Sequence, residues 1–236
     1  PLCLLILGLN QALTWQPQAR QTLQESEALA LATAAAPSTR VEALCMLGLL
    51  LLVQGDEQAG CASIDDARTQ FTINDLGQMG TTTGVLLLAN VALASYRGGP
   101  AEIRRAMDRQ QTVGAQIAPI LQWYRSLSGG VLAFASVRIR DHDAYHDYVT
   151  WCQGEGLCRQ WAIKAQQQFA AETPATQLTP AELRVWELLK SRMTLNEIAG
   201  SLYLSRETVK SHTGSIYRKL GVSSRREAQD LADNWG

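Results

Sequence analysis

Apolar and polar stretches alternate along the first two thirds of the chain at a spacing of about 40 residues, the spacing of a repeated helix pair. Polar breaks fall at "TWQPQAR" around Pro17, "GDEQAG" at Gly55, "RGGPAEI" at Gly98 and "RDHDAY" at Asp141. A strongly apolar run precedes each break, and a more polar, amphipathic stretch follows it. Alternating β-branched runs are nearly absent, and Ala, Leu and Gln dominate, so the elements predicted are helices throughout. The reading is an all-α chain that opens with four helix pairs.

Small residues mark where paired helices come close. Leu7-Gly8 precedes the first break, Leu47-Gly48 the second, and Ala67 falls in the second half of the second pair. These positions resemble those of tetratricopeptide repeats, in which a small residue lets two helices approach. The match weakens in the third and fourth pairs, and a generic helical bundle is the alternative for the whole region. "INDLGQMGTTTGVL", Ile73 to Leu86, is rich in Gly and Thr but has no Lys after a glycine, so it is a turn and a helix start, not a phosphate-binding loop. No other stretch carries a nucleotide signature, and no cofactor is expected.

"AETPATQLTPAE" is the main boundary: Pro174 and Pro180 stop one helix and start another. The predicted division is a tetratricopeptide-like helical-repeat domain over residues 1–171, a linker over 172–177 and a four-helix domain over 178–236. In the last, Thr179-Pro180-Ala181-Glu182 is a capping box with Pro at the first helical position. The helix it opens buries Leu183, Trp186 and Leu189 and runs to about Arg192. Thr194 to Glu197 repeats the box before a short helix that buries Ile198, Ala199 and Leu202. "YLS" is a tight turn with Ser205 as the next N-cap. The third helix buries Val209, Ile216 and Leu220, with Gly221 as its left-handed stop. Ser224 to Glu227 caps a last helix that carries Ala228, Leu231 and Ala232. A short helix, a tight turn and a longer helix form a helix-turn-helix.

The outer stripe of the third helix is Glu207, Lys210, Ser211, Gly214 and Arg218. A cation, a small hydroxyl and a residue without a side chain suit a helix that must reach base edges in a major groove. An ordinary exposed amphipathic helix has no need of Ser and Gly at mid-stripe. Charge sharpens the picture. The 236 residues carry a formal net charge of −1, yet residues 178–236 hold about 9 basic and about 7 acidic side chains, against about 12 and about 15 before them. Between Ser205 and Ala228 the balance is six Lys/Arg to two acids. Such asymmetry points to a polyanion partner at the basic end.

"LTPAELRVWELLKSRMTLNEIAGSLYLSRETVKSHTGSIYRKLGVSSRREA" resembles the LuxR-type DNA-binding domain. The matching positions are Leu178-Thr179, Glu197-Ile198-Ala199, Leu202, Ser205, Thr208-Val209-Lys210, His212, Ile216, Lys219-Leu220-Gly221-Val222 and Glu227-Ala228. The family usually has Gly where this chain has Arg192, and often Asn where it has Ser215. The resemblance implies a transcriptional regulator that binds double-stranded DNA. Lys210, Ser211 and Gly214 would face bases, and Ser205, Arg206, Thr208, Arg218 and Lys219 would contact phosphates. The last helix, with Ala228 and Leu231, would pair two copies into a homodimer on DNA. "SIYRKLGVSSRREA" is most similar to the large regulators of the MalT type, in which a helical-repeat sensor precedes this domain and an ATPase lies upstream. That implies an inducer or protein partner at the repeat domain, and a first residue, Pro1, inside a longer protein.

Other features are weaker. Five cysteines are scattered without a CxxC, which reads as a reduced, cytoplasmic protein. "LCLLILGL" and "ALCMLGLLLLV" are too short for a span of roughly 20 residues, so no membrane is expected. "HDAYH" puts His142 and His146 at i and i+4 with an acid beside the first, a zinc-hydrolase motif with Asp for Glu. A third ligand, Asp141 or Cys152, would be needed, and no downstream His follows. The simpler reading is a polar helix start, and the chain is read as a non-enzyme. The alternatives to a regulator are a helical-repeat scaffold without DNA binding and, more remotely, a metal hydrolase.

Overall fold

The four apolar runs and their polar followers form four helix pairs, and the breaks between them are set by turn chemistry. At the second break Gly55 ends a helix in the left-handed region (φ 91°), and Asp56 caps the next by accepting from the Ala59 amide at 3.3 Å. At the fourth, Asp141 does the same for Ala144. The structure, a computed structural model, describes the chain apart from residues 34–35, 77–79, 118–120, 153–154, 173–177, 221, 223 and 234–236, and apart from the side chains of 170–172 and 230–233.

The pairs are α1 (Leu2–Leu13) with α2 (Ala19–Thr33), α3 (Pro37–Gln54) with α4 (Glu57–Ile73), α5 (Gly80–Arg97) with α6 (Pro100–Ile117), and α7 (Gln122–Arg138) with α8 (His142–Val149). The first helix of each pair also packs on the first helix of the next, so α1, α3, α5 and α7 form one row, buried at α3, α5 and α7 and half-open at α1. Their apolar content explains this: Leu49, Leu52, Leu88, Val91, Leu127 and Leu132 are all fully buried. Close approach needs the small residues that the sequence singles out. A Cβ on Gly48 would lie 2.5 Å from Ile64 and 3.0 Å from the Gly60 carbonyl, and Ala67 is fully buried.

A ninth helix, α9 (Gly156–Glu172), lies against this row. Trp161 is fully buried with its ring edge on Phe134, and the Lys164 ammonium donates to the Leu52 carbonyl at 3.3 Å while lying over the Tyr96 ring. The helix α3 runs for 18 residues, longer than its apolar run. Among the described residues it alone is long and apolar enough to cross a membrane, and most of it is buried in the helix row. Of the free cysteines, Cys45, Cys61 and Cys158 are buried, Cys152 is half-buried and Cys3 is exposed. Burial pushes the Cys152 thiol up to about 12.

The chain divides into two compact units, Pro1–Gln166 and Gln167–Gly236, with the division inside α9. Of the expected linker, Glu172 is the last residue of α9 and 173–177 lie outside the described residues. The second unit adds α10 (Pro180–Leu189), α11 (Leu195–Leu202), α12 (Arg206–Leu220) and α13 (Arg225–Asp233). The molecule is all-helical, with no strand among the described residues. Both expected capping boxes form, Thr179 with Glu182 and Thr194 with Glu197. The core is Leu178, Val185, Trp186, Leu189, Ile198, Ala199, Val209, Ile216 and Ala228, with Leu183, Leu202 and Leu220 half-buried against it.

Candidate nucleic-acid interface

The core residues of α12 leave its other side open. Val209, Thr213 and Ile216 face inward, and Glu207, Lys210, Ser211, Gly214 and Arg218 are all exposed, so the stripe read from the sequence is a real outer face. A Cβ placed on Gly214 would meet nothing within 4 Å. Nothing among the described residues therefore requires a glycine there, although Gly costs a helix interior about 1 kcal/mol relative to Ala.

Ser205 sets the start of α12. Its Oγ accepts from the Thr208 amide at 3.0 Å and shares a hydrogen bond with the Thr208 hydroxyl. Before it, Tyr203 ends α11 in the left-handed region (φ 55°) and is 96% exposed. The "YLS" segment is thus the tight turn that joins the two helices. Arg206 is exposed and only 3.8 Å from Glu207, a loose pair between highly exposed side chains.

The six cations of the basic stretch do not behave alike. Lys219 Nζ donates to Glu182 Oε2 at 2.6 Å, and Glu182 is otherwise buried as the capping residue of α10. The Lys219 ammonium, with help from the Thr179 amide and Ser215, holds the Glu182 carboxyl well below the usual range. Arg225 reaches back to the end of α10, donating to the Leu189 carbonyl at 3.2 Å and the Ser191 carbonyl at 2.8 Å. Gln229 donates to the same two carbonyls. These bonds satisfy the orphan acceptors of a helix C-terminus. They also fit the observed end of α10 at Leu189, shorter than the expected run to Arg192. Arg192 itself is not among the residues with positive φ, so the loop does not need the glycine usual at that position. Arg206, Lys210, Arg218 and Arg226 remain exposed.

A model of bacterial regulatory proteins of the luxR family matches residues 176–232. The spore germination protein GerE of Bacillus subtilis is 43% identical over 51 residues, which are 22% of this chain and 69% of GerE. The chain belongs to the LuxR family. A protein of Streptomyces halstedii named "Probable HTH-type transcriptional regulator GfsR" is 34% identical over 93 residues, 36% of this chain and 38% of GfsR. A Mycobacterium tuberculosis protein named as an HTH-type transcriptional regulator, Rv0890c, is 34% identical over 91 residues, 36% of this chain and 10% of that protein. The chain thus spans well under half the length of GfsR and about a tenth of Rv0890c. No solved structure matches the chain.

Within this LuxR-type domain two of the expected site residues make contacts inside the domain. Ala228 is 1% exposed and belongs to the domain's own core. Ala228 lies one turn after Arg225, which is itself tied to the end of α10. The Leu231 side chain and Gly221 lie outside the described residues. Lys219 lies at the edge of the basic stretch as expected, but with its ammonium paired to Glu182. Arg225 is a capping residue that charge alone places in the DNA-facing cluster. Its signal is the unsatisfied end of α10, which is visible only once both helices are placed. In the first unit, Asp141 of the "HDAYH" region is the N-cap of α8, and no group of three His, Cys, Asp or Glu able to hold a metal is assembled among the described residues.

Proposed function

We propose that this LuxR-family chain is a sequence-specific DNA-binding transcriptional regulator, with α12 lying in the major groove. In this reading Lys210, Ser211 and Gly214 face base edges, while Ser205, Arg206, Thr208 and Arg218 hold phosphates. Phosphate contacts set position and base contacts set sequence. Lys219 supports the face by fixing α12 to α10, and Arg226 joins the phosphate contacts. The observation that carries the reading is the exposed stripe centred on Gly214, where the chain has no use of its own for the missing side chain.

The division into a helical-repeat domain over 1–171, a linker over 172–177 and a DNA-binding domain over 178–236 belongs to the same proposal, as does the tetratricopeptide-like character of the first part. Support comes from the row of stacked helix pairs and from the close approach at Gly48. The stack would take a signal from an inducer or protein partner and control DNA binding, as in the large MalT-type branch. The length of Rv0890c beyond its match is in keeping with that branch. We place the protein in the cytoplasm with its DNA, as a homodimer over half-sites one helical turn apart. The dimer contact would fall on Leu231, and Leu231→Glu should remove cooperativity on a two-site duplex without unfolding the domain.

The experiment that tests the function is a salt titration of binding to a duplex selected from a random pool and to a scrambled one. Specific binding with a steep salt slope is expected. Equal affinity for the two duplexes, or none, would leave a helical-repeat scaffold without DNA recognition.

A further inference from the structure

Between α6, α7 and α8 lies a cavity of about 400 Å³, which falls within the size range of small-molecule sites. Three aromatic residues, Tyr124, Tyr148 and Trp151, line it, with Gln110 and Gly114 from α6 and Asp147 at an exposed position on α8. All of these residues lie in the first unit.

Gln110 is the informative residue. It is 2% exposed, and its Nε2 donates to the Tyr124 hydroxyl and to Ser128 Oγ, both at 3.3 Å. The Tyr124 hydroxyl spends its own proton on the Gly84 carbonyl at 3.0 Å, so toward Gln110 it can only accept. That settles the orientation of the amide, with N–H toward Tyr124. Gln110 Oε1 is left buried with no hydrogen-bond partner. A buried acceptor without a donor is costly, and a chain that only needed packing here would do better with an apolar side chain. At Gly114 a Cβ would come within 2.8 Å of Gln110 Nε2, so the glycine leaves this amide its room.

The surroundings favour positive charge. Tyr148 and Trp151 stand edge to face with ring centroids 5.2 Å apart, and the Trp151 ring already carries the Arg125 guanidinium 5.6 Å from its centroid. Burial pushes the Tyr148 hydroxyl up, the Gln111 amide draws it down, and the Asp141, Asp147 and Asp108 carboxylates raise it; of these acids Asp147 lines the cavity. Gln111 donates its amide to the same hydroxyl. Aromatic faces, a carboxylate and an unmet acceptor are together the groups that hold an organic ammonium.

We propose that this cavity binds a small organic amine, whose ammonium lies beside the Asp147 carboxylate and reaches the buried Gln110 Oε1 after a small shift of that side chain, and whose apolar body lies against Tyr124, Tyr148 and Trp151. The proposal rests on the reading of the helical-repeat region as the signal-receiving part, and it names the chemistry of the signal.

The test is calorimetric titration of the 236-residue chain with three probes of one shape: 2-phenylethylamine, the neutral 2-phenylethanol and the anionic 3-phenylpropionate. The amine should bind about tenfold more tightly than the alcohol, and the anion should not bind. Ala115→Phe, at an exposed lining position of α6, fills the space without removing a polar group and should abolish binding of the amine. Asp147→Asn should weaken the amine by about threefold and leave the alcohol unchanged. Gln110→Met should weaken the amine by about tenfold. Equal affinity for amine and alcohol, amine binding that survives Ala115→Phe, or no heat from any probe at millimolar concentration would overturn the proposal. A separate arm measures DNA affinity with and without the amine. Binding that obeys the variants but leaves DNA affinity unchanged would confirm the cavity and overturn control through the repeat region.

Discussion

Lys219 Nζ lies 2.6 Å from Glu182 Oε2 and joins α12 to the first turn of α10. The same carboxylate closes the capping box by accepting from the Thr179 amide at 2.7 Å. One side chain thus starts one helix and anchors another.

This pairing has a pH signature. The Glu182 carboxyl is held below its ordinary value of 4.5, first by Lys219 and then by the Thr179 amide. A lowered folded-state value gives stability that is full above about 4.5 and is lost as the pH falls through the folded value. Glu197 is lowered in the same direction by the Thr194 amide and hydroxyl. Thermal melts of the wild type should therefore show an acid limb that is reduced in Glu182→Gln. Lys219→Ala should lower the melting temperature, because it leaves a buried carboxylate without its cation. Its salt slope on DNA should match that of the wild type, unlike a variant that loses a phosphate contact.

Gly214→Ala separates folding from binding. The new methyl meets nothing among the described residues. It should stabilise α12 by about 1 kcal/mol and at the same time weaken specific DNA binding. Chemical denaturation and a binding isotherm on the same preparation check both signs. A variant that is more stable and binds as well would show that nothing approaches Gly214 closely.

Lys210 and Arg218 should differ in kind. Lys210→Ala should cost about 1–3 kcal/mol on the selected sequence and relax specificity. Arg218→Ala should weaken all sequences alike and flatten the salt slope by about one. Paired salt titrations on selected and scrambled duplexes read both. An unchanged affinity ratio for Lys210→Ala would move base reading away from mid-helix.

Gly48→Val tests the helix row. A Cβ already falls 2.5 Å from Ile64, and valine adds two methyl groups to that clash. Overpacking of this kind costs about 1–3 kcal/mol. The loss should appear as a lower melting temperature, while DNA affinity at a temperature where the variant is folded should hold.

Much of the fold was legible because its breaks carry their own chemistry. Gly55 with Asp56, Asp141, and the Thr179 and Thr194 boxes are local signals, satisfied within a few residues. The outer stripe of α12 was legible for a similar reason, since helical period assigns its inner and outer faces. What escaped the sequence depends on distant partners. Lys164 meets a carbonyl 112 positions away and Lys219 a carboxylate 37 positions away. Nothing local distinguishes them from solvated cations. The burial of Ala228 was not legible because a short apolar stripe can face its own core or a second copy, and period alone does not choose. The cavity at Gln110 was invisible because its residues come from three helices, joined by a hydroxyl that bonds 40 positions away.

The cysteines give the molecule an uneven chemical surface. Cys45, Cys61 and Cys158 are buried among the helices of the first unit, and the Cys152 thiol is held up to about 12 by burial. Thiolates, not thiols, attack electrophilic reagents. Exposed Cys3 is therefore a ready-made attachment point for a dye near the start of α1, with no substitution needed. Slow labelling at the other four would act as a clock for how often the helix row opens, readable by mass at intervals while ligand or DNA is present.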